Sequence, residues 1–160
     1  MKTYLVTGAA GFIGANFIKY MLKKYEDIQI VVLDLLTYAG NLGTIAEDID
    51  GQRCCFVKGD IGDRALADQL FAQYHFDCVV NFAAESHVDR SIKDPFTFAR
   101  TNVMGTLSLL QAAKLYWESL PEKYEGKRFY HISTDEVYGA LEMNRPEGVE
   151  PPFSTTASSS

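Results

Sequence analysis

The sequence predicts an α/β fold, a doubly wound parallel sheet with about five strands, and three observations carry that reading. Apolar runs of four to six residues alternate with longer stretches of helical periodicity, which is the pattern of βαβ units. A glycine-rich turn joins the first apolar run to the first helical stretch. The runs themselves are rich in Val and Ile and nearly all apolar, as strands covered on both faces are. At 160 residues, 47% of them hydrophobic, the chain buries roughly 70% of its extended surface on folding, enough for one core.

Taken in order, Tyr4-Leu5-Val6 is the first strand. Residues 12 to 24 repeat Ile13, Phe17, Ile18, Met21 and Leu22 at helical spacing, with Lys19, Lys23 and Lys24 elsewhere on the wheel, so a helix follows. Ile28 to Leu33 is a second strand and ends on Asp34. Cys54-Cys55-Phe56-Val57 is a third, stopped by Gly59-Asp60. Arg64 to Tyr74 carries Leu66, Leu70 and Phe71 on one helical face. Cys78-Val79-Val80-Asn81-Phe82 is the fourth strand.

Asp94-Pro95 opens a long helix, Asp as N-cap and Pro at the first helical position, expected to run to about Glu118. Phe129 to Ser133 is the fifth strand. Beyond Gly139 the texture changes: Pro146, Gly148, Pro151, Pro152 and a Ser/Thr-rich end read as a loop. The expected division is therefore an α/β domain over 1–139 and a loop over 140–160.

Composition excludes several functions. A net charge of −6 repels phosphate backbones, and Lys and Arg nowhere gather with interleaved aromatics, so nucleic acid is not an expected partner. No apolar run approaches the ~20 residues that span a bilayer, so no membrane association is expected. The first eight residues lack the apolar segment of a secretion signal, and a cytoplasmic location is expected. Cys54 and Cys55 would point to opposite faces of a strand, and with Cys78 they read as small buried hydrophobes. His87 and His131 lack ligand-spaced partners, so no metal is expected.

Thr7-Gly8-Ala9-Ala10-Gly11-Phe12-Ile13-Gly14 has the strand-turn-helix context of a diphosphate cradle. Gly8 permits the tight turn, Gly11 leaves room for a diphosphate, and Gly14 allows the helix to pack closely on the sheet. The N–H groups near Phe12 and Ile13 face the ligand together with the positive end of the helix dipole. Asp34, twenty residues after Gly14, is placed to accept hydrogen bonds from an adenosine ribose and to repel a 2′-phosphate, which favours NAD over NADP. Gly59-Asp60-Ile61 borders the adenine pocket. Asp135 and Glu136 follow the fifth strand on the same edge of the sheet. Such a pair is ordinarily solvated surface; in a crevice, each carboxyl raises the other's pKa, so one can serve as acid and the other as base.

These strings, with Asp34-Leu35-Leu36-Thr37-Tyr38-Ala39-Gly40-Asn41, Asn81 to Ser91, Thr101-Asn102 and Ser133 to Gly139, resemble the extended short-chain dehydrogenase/reductase family, and within it the nucleotide-sugar 4,6-dehydratases. Thr134-Asp135-Glu136 is the discriminating part, since the related epimerases carry Ser and small residues there. The resemblance implies a Rossmann-type fold and NAD contacts from Phe12, Ile13, Asp34, Thr37, Asp60, Ile61, Ala83, Ala84 and Thr101. It implies that Ser86 and Thr134 touch the sugar, that Glu136 removes its C5 proton and that Asp135 protonates the departing C6 hydroxyl. It also implies a homodimer through the 95–118 region, with Phe98, Leu109 and Trp117 as the apolar face; packing of that stripe on the sheet carries comparable weight.

The family's Tyr-x-x-x-Lys pair is not found after Gly139. Only Tyr20 and Lys24 have the spacing, and they fall on the first helix, away from the crevice. The expectation is an N-terminal portion of a longer dehydratase, inactive by itself, in which 1–139 is an incomplete NAD-binding Rossmann domain and 140–160 a loop leading to the catalytic helix. The alternatives are another NAD-dependent sugar-nucleotide dehydratase or epimerase, and a non-catalytic dinucleotide-sensing module.

Overall fold

The computed structural model describes residues 1–37, 40–134 and 137. The expected loop at 140–160 lies outside the described residues. Five strands, β1 (Lys2–Thr7), β2 (Ile28–Asp34), β3 (Cys54–Lys58), β4 (Cys78–Asn81) and β5 (Arg128–His131), form one sheet in the order β3-β2-β1-β4-β5. All four pairings are parallel. The expected doubly wound sheet is present, and β5 pairs only with β4 among the described residues.

Side chains alternate between two cores, as the period of a strand requires. Leu5, Val31, Leu33 and Val79 pack under α2 (Arg64–Tyr74) and α5 (Thr106–Ser119), with Phe71, Phe76, Leu109 and Trp117. Val6, Ile30, Val32 and Val80 pack on the opposite face under α1 (Phe12–Lys24), with Ala15, Ile18 and Met21. Cys54 belongs to the second core and Cys55 packs against the first, so the neighbouring thiols do face opposite ways. Burial pushes the Cys54 thiol up to about 12, the nearby Asp48 and Asp50 adding to the effect.

The ranges of α1 and α2 match the periodicity reading. Asp63 caps α2 by accepting from the Leu66 N–H at 3.0 Å, and the helix ends at His75, whose φ is +55°. Ile13, counted in the apolar stripe of α1, is instead 65% exposed; Gly14 and Ala15 take the buried positions beside it. The long helix differs more. A short helix that the periodicity does not announce, α3 (Val88–Lys93), precedes it, and the stretch from Pro95 is broken into α4 (Pro95–Phe98), a π-helical segment (Ala99–Gly105) and α5. Asp94 does cap it, accepting from the Thr97 N–H at 3.1 Å.

At the N-terminal edge of the sheet, Asp77 accepts from the Thr3 N–H at 3.0 Å and from the Lys127 ammonium at 2.8 Å. Burial alone would raise the Asp77 carboxyl, but the Lys127 and Thr3 donors outweigh it and hold it below the usual carboxylate range. A carboxyl held low in the folded state contributes stability above its unfolded value of about 3.9 and loses it as pH falls through the folded value. Lys127→Met is therefore expected to cost about 1–2 kcal/mol at neutral pH. Urea unfolding should show that cost fading as the pH falls below the unfolded value of about 3.9; an undiminished cost in acid would contradict the assignment.

Candidate active-site crevice

The crevice lies along the C-terminal edge of the sheet, where Thr7, Asp34, Asn81 and His131 end their strands. The turn after β1 is set by Gly8, which has a φ of +64° and sits so close to β4 that an added Cβ would lie 2.6 Å from the Ala83 nitrogen. A Cβ on Gly11 would meet only the Gly8 carbonyl, at a tight 3.3 Å. Gly14 departs from expectation. A Cβ there would lie 2.6 Å from the Ala9 Cα and 2.8 Å from the Gly8 carbonyl oxygen, so this glycine lets α1 close on the turn rather than on the sheet.

No side chain caps the start of α1. Its first N–H groups have no acceptor within the helix, and Phe12 is 84% exposed beside them. Asp34 is only 9% exposed. Its two oxygens accept from the Ala10 N–H at 2.9 Å and the Leu36 N–H at 2.8 Å, which fixes the carboxylate against the glycine turn. Each oxygen keeps a lone pair, so the group can still accept from a pair of vicinal hydroxyls. The donors and the acceptor together suit a diphosphate and a ribose.

The remaining expected residues divide by burial. Thr37, Ala84, Ser86 and Thr134 are exposed; Ala83 and Thr101 are half-buried. Asp60 accepts from the Gly62 N–H at 2.8 Å and shapes the turn after β3. Ile61 is 4% exposed and belongs to the core, where a Cβ on Gly105 would lie 2.8 Å from it; any ligand contact at Ile61 is left to its backbone. Asp135 and Glu136, the expected acid and base, lie outside the described residues. Tyr20 and Lys24 are joined by a 2.7 Å hydrogen bond, with Tyr20 55% exposed, and stand at the C-terminal end of α1, opposite the crevice.

Two arrangements were not legible in the sequence. Asn102, in the π-helical segment, accepts from the Glu85 N–H at 2.8 Å and donates to the Glu85 carbonyl at 2.9 Å, clamping the loop that carries Ala83, Ala84 and Ser86. Asn81, 1% exposed, connects Thr7, Thr106 and His131 through its side-chain amide. A lone polar residue closing the apolar run Cys78-Val79-Val80 was the available signal. The expected dimer face is also corrected. Leu109 and Trp117 are 0% and 4% exposed, because α5 turns them onto α2 and the sheet, and Phe98, at the end of α4, is half-buried. The large apolar residues exposed on this region, among the described residues, are Phe96, Val103, Met104, Leu107, Leu110 and Leu115.

A parallel sheet in this order, with a glycine turn opening onto a bare helix N-terminus and an acid closing the second strand, defines a Rossmann-type domain. The family model described as GDP-mannose 4,6 dehydratase matches residues 5–156, and the chain belongs to that family. It is 54% identical over 142 residues to a dTDP-glucose 4,6-dehydratase of Xanthomonas campestris pv. campestris (strain B100), covering 88% of this chain and 40% of that protein. Among solved structures, the dTDP-glucose 4,6-dehydratase of Bacillus anthracis str. Ames in complex with NAD aligns with a TM-score of 0.76 at 37% identity, over 96% of this chain and 44% of that one. That of Streptomyces venezuelae, also with NAD bound, aligns at 0.74 and 44% identity, over 89% and 42%. The chain thus spans about two fifths of the length of the curated relatives it matches.

Proposed function

We propose that this chain supplies the dinucleotide-binding half of an NAD-dependent 4,6-dehydratase that converts dTDP-glucose to dTDP-4-keto-6-deoxyglucose, a step of deoxysugar formation. The observation that carries the proposal is the buried Asp34 carboxylate locked beside an uncapped helix N-terminus, on the same sheet edge from which β5 leads into Thr134-Asp135-Glu136. The first N–H groups of α1 hold the diphosphate, Asp34 the adenosine ribose, and the Asp60 turn borders the adenine. Bound there, NAD supplies reversible hydride acceptance. Ser86 and Thr134 orient the sugar. Glu136 takes the C5 proton once C4 is a ketone, and Asp135 gives a proton to the leaving C6 hydroxyl. In this reading residues 1–139 belong to the dinucleotide domain, and the sequence from 140 to 160 leads on toward the rest of the enzyme.

Val103, Met104, Leu107 and Leu110, between 42% and 62% exposed on one helical stretch, support a homodimer through this region. The three cysteines are free thiols, two of them buried, which suits a reducing cytoplasm.

The test is the full-length gene product incubated with dTDP-glucose. The 4-keto-6-deoxy product is expected, and Asp135→Asn should lower kcat by about 10²- to 10⁴-fold, the usual worth of a general acid. No product from the unaltered enzyme refutes the proposal. The 160-residue chain alone is expected to give none, since the sequence after Gly139 carries no Tyr-x-x-x-Lys pair.

A further inference from the structure

Thr7, Asn81 and His131 occupy one rung across β1, β4 and β5: Thr7 is in register with Asn81, and Asn81 with His131. Each stands at the end of its strand. Thr7 precedes the glycine turn, Asn81 the loop carrying Ala83 to Ser86, and His131 the segment leading to Thr134.

The direction of the hydrogen bonds along this rung follows from the orientation of the Asn81 amide, whose oxygen faces Thr7 and whose NH2 faces His131. The Ala83 N–H can only donate, and its acceptor is the Thr7 hydroxyl oxygen at 3.3 Å. The Thr7 proton is given to the Asn81 side-chain oxygen. That orientation turns the Asn81 NH2 toward α5 and β5, where its two hydrogens meet the Thr106 hydroxyl at 3.3 Å and His131 Nδ1 at 3.1 Å. A nitrogen receiving a hydrogen bond must carry a lone pair, so the neutral imidazole keeps its proton on Nε2. Asn81 also accepts the Ile132 N–H through its main-chain carbonyl at 3.2 Å. The strand exit is held at two points by one residue.

We propose that Asn81 is a positioning residue: it locks His131 as the Nε2–H tautomer and thereby sets the height at which β5 leaves the sheet toward Thr134, in step with the glycine turn and the Ala83 loop. Its catalytic consequence rests on the dehydratase reading above, but the tautomer does not. Nε2–H, on the side of the ring away from Asn81, becomes a donor of fixed direction.

The test is a long-range 1H–15N spectrum of the 15N-labelled 160-residue chain, taken above the ordinary imidazole titration range, with His131 assigned by the signal missing from His131→Asn. Expected is a single Nε2–H form for His131. Asn81→Asp replaces the NH2 by an acceptor of the same shape, and the His131 proton should move to Nδ1 to meet it; a residue that merely filled space would not shift the proton. A His131 tautomer mixture like that of a free imidazole in the unaltered chain overturns the proposal, as does a folded Asn81→Asp variant that keeps the Nε2–H form. Should Asn81→Asp fail to fold, the spectrum of the unaltered chain decides alone. Because no dinucleotide is needed, failure of NAD to bind would count against the proposed function and leave this result standing.

Discussion

Gly8→Ala is expected to destabilise the chain by about 2–5 kcal/mol, combining the strain of a left-handed non-glycine residue with overpacking. The added Cβ would lie 2.6 Å from the Ala83 nitrogen and 2.7 Å from both the Ala83 Cα and the Phe82 carbonyl carbon. These are backbone atoms of a strand exit, and they cannot swing aside as a side chain tip would. Any shift would also stretch the Gly8 N–H bond to the Leu33 carbonyl, now 3.1 Å. Gly11→Ala provides the contrast. Its Cβ meets a single carbonyl at 3.3 Å, so stability should change little, while NAD affinity measured by calorimetry should fall because the methyl occupies the space proposed for the diphosphate. Urea midpoints that are equal for the two variants would refute the distinction.

Phe71→Ala is expected to cost about 3–5 kcal/mol, a large share of the ~5–15 kcal/mol that holds a domain together. Phe71 is fully buried. It meets Phe76 edge-on at 5.1 Å, Trp117 edge-on at 6.0 Å and Tyr116 at 5.6 Å. The Trp117 indole is itself anchored by a 2.8 Å hydrogen bond to the Phe76 carbonyl. Rigid rings pinned in this way cannot close over the hole. The damage should stay local: Phe71 is on the last turns of α2, at the N-terminal end of the sheet, away from the crevice. At a temperature where the variant remains folded, its NAD affinity should match that of the unaltered chain; a parallel loss of binding would show that the two ends are coupled.

How much of this was legible depended on how locally each feature is encoded. The limits of α1 and α2 were readable because apolar spacing and caps agree over more than ten residues. The glycine turn and Asp34 were readable because a motif fixes both residue type and separation. The stretch after Asp94 defeats periodicity for a physical reason. It is apolar on more than one side, so spacing alone could not tell the face of Leu109 and Trp117 from that of Val103 and Leu107, and a π-helical turn shifts the phase midway. The Asn81 rung was out of reach, since three residues separated by more than 120 positions in total share it only once the sheet order is known. The proposed acid and base, Asp135 and Glu136, are read from the sequence, since both lie outside the described residues.

The one-sided pairing of β5 bears on how this chain behaves in a test tube. Among the described residues no strand pairs with its outer edge, and Tyr130 and the following Ile132 are 47% and 45% exposed. Such an edge is a template for another chain's strand, and sheet proteins that leave one open tend toward aggregation. The strand is only four residues long, and Arg128 stands on it, both of which blunt the hazard. With a net charge of −6 providing mutual repulsion that salt weakens, the 160-residue chain should stay dispersed best in dilute, low-salt solution and clump as ionic strength rises.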